Sequence, residues 1–269
     1  MSAVIEVEKL VARYGERTVL KGIDLDVQAG EIMVIMGGSG SGKSTLLRHL
    51  LGLQAPSSGT IRLLGEDIYG ITSQRLVELR RKMGVAFQGG ALFSSMTVGE
   101  NAMLPLREHT RLDEQTMRIM MRLKLDIVNM AGCENLMPAQ LSGGMIKRAA
   151  MARAIIMDPR LLFLDEPSAG LDPVVAASLD ELILTLRDAT GMSIVVVTHE
   201  LESAFKIADR IAVLDHGDVL VCGTVAEVKS SGSERVQALL NRRIQPLELN
   251  PEEYIRRLTG GPVSDGARA

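Results

Sequence analysis

Nine consecutive residues, Gly37, Gly38, Ser39, Gly40, Ser41, Gly42, Lys43, Ser44 and Thr45, constrain this chain more than any other stretch. They fit the phosphate-binding loop G-x-x-x-x-G-K-S/T. An apolar run over 32–36 leads in and a helical pattern over 43–51 leads out, the strand–loop–helix setting that such a loop requires. Glycines let successive backbone N–H groups curl inward as an anion nest. The helix N-terminus adds roughly half a positive charge. Lys43 is expected to reach β- and γ-phosphates, and the Ser44 hydroxyl to hold Mg²⁺. A Gly/Ser linker is the bland alternative, but linkers do not sit between a buried strand and a helix.

The second strong signal is Leu161, Leu162, Phe163, Leu164, Asp165, Glu166. Four apolar residues make a buried strand, and two adjacent carboxylates sit at its carboxyl end, where open α/β sheets bind ligands. Asp165 suits Mg²⁺ coordination, and Glu166 suits orienting or deprotonating an attacking water. Solvated acids at a strand end are the competing reading. A third buried strand, over 193–197, ends at Thr198 and His199.

Between these signals the pattern changes. Residues 4–36 read as strands, with Ile23, Leu25 and Val27 alternating with polar neighbours. Tyr14 precedes a turn at Gly15 and Glu16. It reads either as a half-buried strand residue or as a ring that stacks on adenine. Thr72 or Ser73 could cap a helix to about Lys82. Val85, Ala86 and Phe87 read as a short strand, after which Gln88 suits a Mg²⁺ or water contact. Over 91–157 helical periodicity takes over, with Met117, Met120, Met121, Leu125 and Val128 spaced as a core face. Within it, Leu141, Ser142, Gly143, Gly144 and Met145 open a helix whose start could bind an anion. Lys147, Arg148 and Arg153 read as that helix's solvated face. Pro173 starts a helix that runs to Thr190 and stops at Gly191. A hairpin around Gly217 and a capping box from Thr224 follow. The tail, 233–269, holds two short helical patterns, the second starting at Asn250, and reads as disordered from Gly260.

Composition narrows the class. The 269 residues, 46% hydrophobic, suffice for one large domain or two lobes, and with no Trp and 15 Met the core must be aliphatic. A net charge of −3 lacks the basic footprint of nucleic-acid binding. Cys133 and Cys222 have no metal spacing and read as unpaired buried thiols in a reducing compartment. No apolar run approaches a membrane span and no signal-peptide pattern is present, so a cytoplasmic protein is expected.

Taken together, these motifs run in the order of an ATP-binding cassette (ABC) ATPase, which residues 4–230 resemble. The resemblance implies an α/β P-loop NTPase fold with a RecA-like core, an antiparallel β subdomain and an inserted α-helical subdomain at about 91–157. It implies a nucleotide-binding domain over 1–232 and a C-terminal helical extension over 233–269. ATP and Mg²⁺ are the implied cofactors. Tyr14 would be the adenine-stacking aromatic, 37–45 Walker A, Gln88 the Q-loop, 141–145 the signature, 161–166 Walker B, 168–172 the D-loop and His199 the switch histidine. Gly38 stands where Pro is common, and Met145 where Gln is common. The family forms head-to-tail dimers in which Ser142, Gly143 and Gly144 would reach the partner's nucleotide.

A narrower resemblance lies in Phe87 to Phe93, Met96, Thr97, Val98, Glu100, Asn101 and the stretch Leu104, Pro105, Leu106, Arg107, Glu108, His109, Thr110. It looks like the ATPase of bacterial MCE-type (Mla) phospholipid transporters, although the tail departs from that pattern. It implies a peripheral place on the cytoplasmic face of the inner membrane. The implied partners are integral permease subunits, an MCE-domain lipid-binding protein and a small STAS-type subunit. The alternative is a soluble assembly ATPase of the iron–sulfur cluster biogenesis type. A DNA-repair ATPase is disfavoured because a coiled-coil insertion and zinc cysteines are missing.

Overall fold

The computed structural model describes residues 2–241. β1 (Ala3–Tyr14) and β2 (Arg17–Gln28) pair antiparallel around a turn at Gly15 and Glu16. β3 (Ile32–Gly37) leads through the loop 38–42 into α1 (Lys43–Leu50). β4 (Ser58–Leu63) and β5 (Glu66–Asp67) complete an antiparallel sheet of order β2-β1-β4-β5. α2 (Ser73–Arg80), capped by Thr72, precedes β6 (Met83–Ala86). Then come α3 (Val98–His109), α4 (Glu114–Ile127), a 3-10 turn (Pro138–Gln140) and α5 (Gly143–Ile155). β7 (Leu161–Asp165), α6 (Pro173–Thr190), β8 (Ser193–Thr198), α7 (Leu201–Ile207), β9 (Arg210–Asp215) and β10 (Asp218–Thr224) follow. α8 (Val225–Lys229) and α9 (Glu234–Leu240) end the described chain.

The larger sheet has the order β10-β9-β3-β8-β7-β6 and is parallel except for β10. Both of its faces are covered, so its strands are continuous apolar runs, as buried parallel strands must be. The period of two divides them. Ile32, Val34, Leu162, Leu164, Ile194 and Val196 pack toward the helices. Met33, Ile35, Leu161, Phe163, Val195 and Val197 face α1 and the antiparallel sheet. Arg210 on β9 ties the sheets by donating to both carboxylate oxygens of Asp26 on β2, at 3.0 and 3.2 Å.

The helical segment forms where periodicity placed it. Met117, Met121, Leu125 and Val128 are buried, and Met120 is partly buried. Asn101, fully buried in α3, pins the preceding loop. Its carbonyl oxygen accepts from Phe93 N at 2.8 Å, and its amide donates to the carbonyls of Phe93, Met96 and Thr97. α6 starts and stops as expected, with Asp172 accepting from the N–H groups of Val174 and Val175 and Gly191 in the left-handed region.

Two expectations about these elements need correction. Phe87 is not in β6, which ends at Ala86; its side chain is exposed. Both cysteines are unpaired but only half-buried. α2 ends at Arg80 with Arg81 as its C-cap, in agreement with the expected end at about Lys82. The first tail pattern is α9. The pattern from Asn250 and the segment from Gly260 lie outside the described residues. Among the described residues no helix is long and apolar enough to cross a membrane.

α6 and α7 bury a charged group between them. Ser203 donates to Asp180, which is 4% exposed, and burial pushes the Asp180 carboxyl upward despite that bond. A carboxyl raised in the folded state contributes most to stability below its unfolded pKa, and that contribution is lost as pH rises through the folded value. Asp180→Asn should therefore melt above the unsubstituted protein at neutral pH, and the gap should close on acidification through the carboxylate range. Thermal denaturation across pH checks this; a gap constant with pH would rule out the charge as its cause.

Candidate functional site

The parallel strands deliver their carboxyl ends to one edge, and the residues singled out in the sequence lie there. Gly37 ends β3, Asp165 ends β7, Thr198 ends β8, and Glu166 and His199 follow directly. The loop 37–42 is a tight cradle. A Cβ on Gly37 would lie 2.1 Å from the Leu214 carbonyl oxygen. Gly42, the residue before α1, has φ +111°, and a Cβ there would lie 2.7 Å from a Leu20 methyl. No side chain caps α1, which leaves its first N–H groups to a ligand. Ser41 Oγ is buried without a partner, another polar group turned toward the cradle's interior economy rather than to water. Ser39, Gly40 and Ser44 are exposed, and Gly38 and Thr45 half-buried.

Lys43 folds back over this loop. Its Nζ donates to the carbonyls of Gly37 at 2.8 Å and Gly38 at 3.0 Å. Burial lowers its pKa, and the nearby charges of Glu166 and Asp165 oppose that. Asp165 is shifted the other way. Burial raises its carboxyl and Glu166 adds to the rise, while Lys147 and then Lys43 hold it down. These couplings put both ammonium groups in the field of the carboxylate pair.

Glu166 is held from several sides. Its φ is +49°, unusual for a side chain of this size. Its N–H donates to the Val197 carbonyl at 2.8 Å. Thr198 Oγ1 donates to Oε2 at 3.2 Å, and His199 Nδ1 lies 2.8 Å from Oε1. A carboxylate only accepts, so Nδ1 carries the proton in this pair.

The remaining predicted residues are spread over other elements. Gln88 lies two residues beyond β6 with an exposed side chain. Tyr14 is 42% exposed at the end of β1, and its hydroxyl donates to Gln54 Oε1 at 2.6 Å. Ser142 caps α5 through Met145 N at 3.3 Å, and Ser142 and Gly143 are exposed. Among the described residues no hydrogen bond joins Ser142, Gly143 or Gly144 to the phosphate loop; Gly143 lies beside Leu171 and Gly144 beside Val175 of the same chain.

Lys147, Arg148 and Arg153 are not a solvated face. Lys147 Nζ donates to the main-chain carbonyls of Gln88 and Glu166. Arg148 reaches the Val128 carbonyl and Ser178, and Arg153 the carbonyls of Gly90 and Ala91. The missed signal was the run of small residues, with Ala149, Ala150, Ala152 and Ala154 all buried. A helix so lined is packed on every side, and its basic residues must then find partners inside.

Comparison with known proteins follows this geometry. The family model described as "ABC transporter" matches residues 20–169. The "Intermembrane phospholipid transport system ATP-binding protein MlaF" of Haemophilus influenzae is 39% identical over 237 residues, 88% of this chain and 90% of that protein. Its counterpart in Escherichia coli K12 is 40% identical, covering 84% of each. The "Probable ribonucleotide transport ATP-binding protein mkl" of Mycobacterium leprae is 38% identical over 94% of this chain and 73% of that protein. Among solved structures, a dimeric bacterial ABC transporter cassette superimposes with TM-score 0.77 at 31% identity, covering 82% of this chain and 98% of the cassette. The cbiO1 subunit of a Clostridium perfringens ABC transporter complex gives TM-score 0.79 at 28% identity, covering 97% of this chain and all of that one (100%).

Removing the Lys43 ammonium tests the cradle directly. Lys43→Ala should weaken ATP binding by roughly 10- to 150-fold, the equivalent of about 1.5–3 kcal/mol for a charge-assisted hydrogen bond. Isothermal titration checks it, and unchanged affinity would remove Lys43 from the site.

Proposed function

The chain belongs to the ABC transporter family of ATP-binding proteins, and from that membership we propose that it is the motor of a lipid transporter, moving phospholipid across a bacterial envelope through a separate permease. As a member of the family it binds and hydrolyses ATP. The observation that carries the transport reading is the near-full-length similarity to two MlaF proteins, whose names specify intermembrane phospholipid transport. The mkl relative is named for a different cargo, so cargo is read from the pair with the higher identity. The segment 104–110 supports coupling to a permease: Arg107, Glu108 and His109 are exposed at the end of α3. The transport names of these relatives disfavour the assembly-ATPase alternative.

The proposed roles follow from the geometry above. A phosphate oxygen competes for the Lys43 donors that Gly37 and Gly38 now accept, and an anionic acceptor binds them more strongly. The open N–H groups of the 37–45 loop receive the remaining phosphate oxygens, and Tyr14 stacks on the base. Mg²⁺ held by Ser44, Gln88 and Asp165 would supply charge neutralisation at the β- and γ-phosphates. Glu166 orients the attacking water. His199 offers a second N–H to the γ-phosphate only as imidazolium, or after it releases Glu166. Exposed Ser142 and Gly143, with half-buried Gly144, would complete the site of a second copy in a head-to-tail homodimer; the solved cassette is named as dimeric. Closure of that dimer around ATP is the output delivered to the permease. The nucleotide-binding domain would span 1–232 with 91–157 as its helical subdomain, and 233–269 as an extension. The protein would sit on the cytoplasmic face of the inner membrane, bound to permease, an MCE-domain protein and a small STAS-type subunit.

Glu166→Gln should keep ATP affinity and lose about 10²–10⁴ of turnover, the usual contribution of a positioned base. It should also accumulate as an ATP-bound dimer by size-exclusion chromatography. Normal turnover would remove Glu166 from this role. A mild-detergent pulldown from native membranes, read by mass spectrometry, tests the transport assignment. An integral permease, an MCE-domain protein and phospholipid are expected; a soluble scaffold without lipid would overturn it.

A further inference from the structure

α5 reaches two places at once. Its first turn holds Ser142, Gly143 and Gly144, and one turn later Lys147 leaves the helix inward. The Lys147 ammonium bridges two main-chain carbonyls: Glu166 at 2.7 Å and Gln88. Arg153 on the same helix holds the next carbonyls, Gly90 at 2.8 Å and Ala91 at 2.7 Å. Gly90 also lies so close to α5 that a Cβ would sit 2.6 Å from an Ile146 methyl. The loop 88–91 is therefore gripped along its carbonyl side by one helix.

Glu166 needs such a grip. A left-handed conformation costs energy in a residue with a side chain, and it persists only when its surroundings hold it. The Val197 carbonyl holds its N–H and Lys147 holds its C=O, so the two peptides that aim the Glu166 side chain are fixed at both ends. We propose that Lys147 is a positioning residue: it links the loop after β6 to the aim of the Glu166 carboxylate, so that a shift of α5 moves both together. This rests on the ATPase reading of the site. The linkage is within one chain, whereas the α5 N-terminus is the part offered to a second copy. Docking of that copy would thus be felt at Glu166 and at Gln88 through one ammonium.

Lys147→Met keeps the stem and removes the donors. The expected result is a fall of at least tenfold in kcat for ATP, with ATP affinity and KM within about twofold of the unsubstituted protein. Hydrogen–deuterium exchange of the 88–91 amides should rise, and their response to ATP should disappear. A kcat within twofold would overturn the proposal, as would an ATP response of 88–91 that survives the substitution. Should the Met variant not fold, Lys147→Gln, which keeps a donor but cannot span both carbonyls, is expected to show the same split in weaker form; full kcat there overturns it. Lys43→Ala run in parallel separates the two readings. Retained ATP binding in Lys43→Ala sinks the site assignment itself, whereas lost binding there with an unaffected Lys147→Met sinks only the linkage.

Discussion

Everything at the site depends on parallel strands ending at one edge. Ladder pairing sets Met36 beside Thr198 and Asp165 beside Val197. That register brings residues far apart in sequence within a few ångströms of one another. The phosphate loop, the carboxylate pair and His199 are then side by side although they lie far apart along the chain, and His199 Nδ1 meets Glu166 Oε1 at 2.8 Å. The sheet can hold this register because both faces are buried, and a slip of one residue would turn every side chain to the wrong face.

Charge at this edge is balanced locally. Two lysines, Lys43 and Lys147, stand in the field of Asp165 and Glu166, and their direct hydrogen bonds go to main-chain carbonyls. Neither ammonium is locked in a tight ion pair with a carboxylate. Lys43 can therefore change acceptor when an anion arrives, at the cost of two neutral hydrogen bonds rather than a buried ion pair. Lys147 differs in that its two acceptors, the main-chain carbonyls of Gln88 and Glu166, belong to two separate loops that it joins.

The helical segment shows a different economy. α3, α4 and α5 pack largely on one another, with α5 also against β6. The segment's buried apolar residues are continuous with the core on the helix-facing side of the large sheet, and α5, packed on both α3 and β6, is the element that joins the two. A rigid helix of 13 residues, about 20 Å long, transmits displacement along its length with little internal give. This makes α5 the mechanical link between the exposed Ser142–Gly143 end and the carboxyl edge.

Much of this was legible in the residues themselves. The glycines before Lys43, the apolar run into Asp165 and Glu166, and the Pro173-to-Gly191 helix are local patterns, and local sterics and capping decide them. Helical periodicity over 117–128 likewise requires no knowledge of the partner surface. What the chain order could not reveal was which carbonyls Lys147 and Arg153 would find, that Tyr14 would lean on Gln54, or that Glu166 would be held by Thr198 and His199. Those contacts join residues 19 to 63 positions apart, or 40 in the case of Tyr14 and Gln54, and exist only once the strands are in register. A basic side chain on a helix has the same local preferences whether it meets water or a buried carbonyl. The buried alanines of α5 were a local hint that the helix is packed, but only the tertiary structure decided which carbonyls its basic residues would meet.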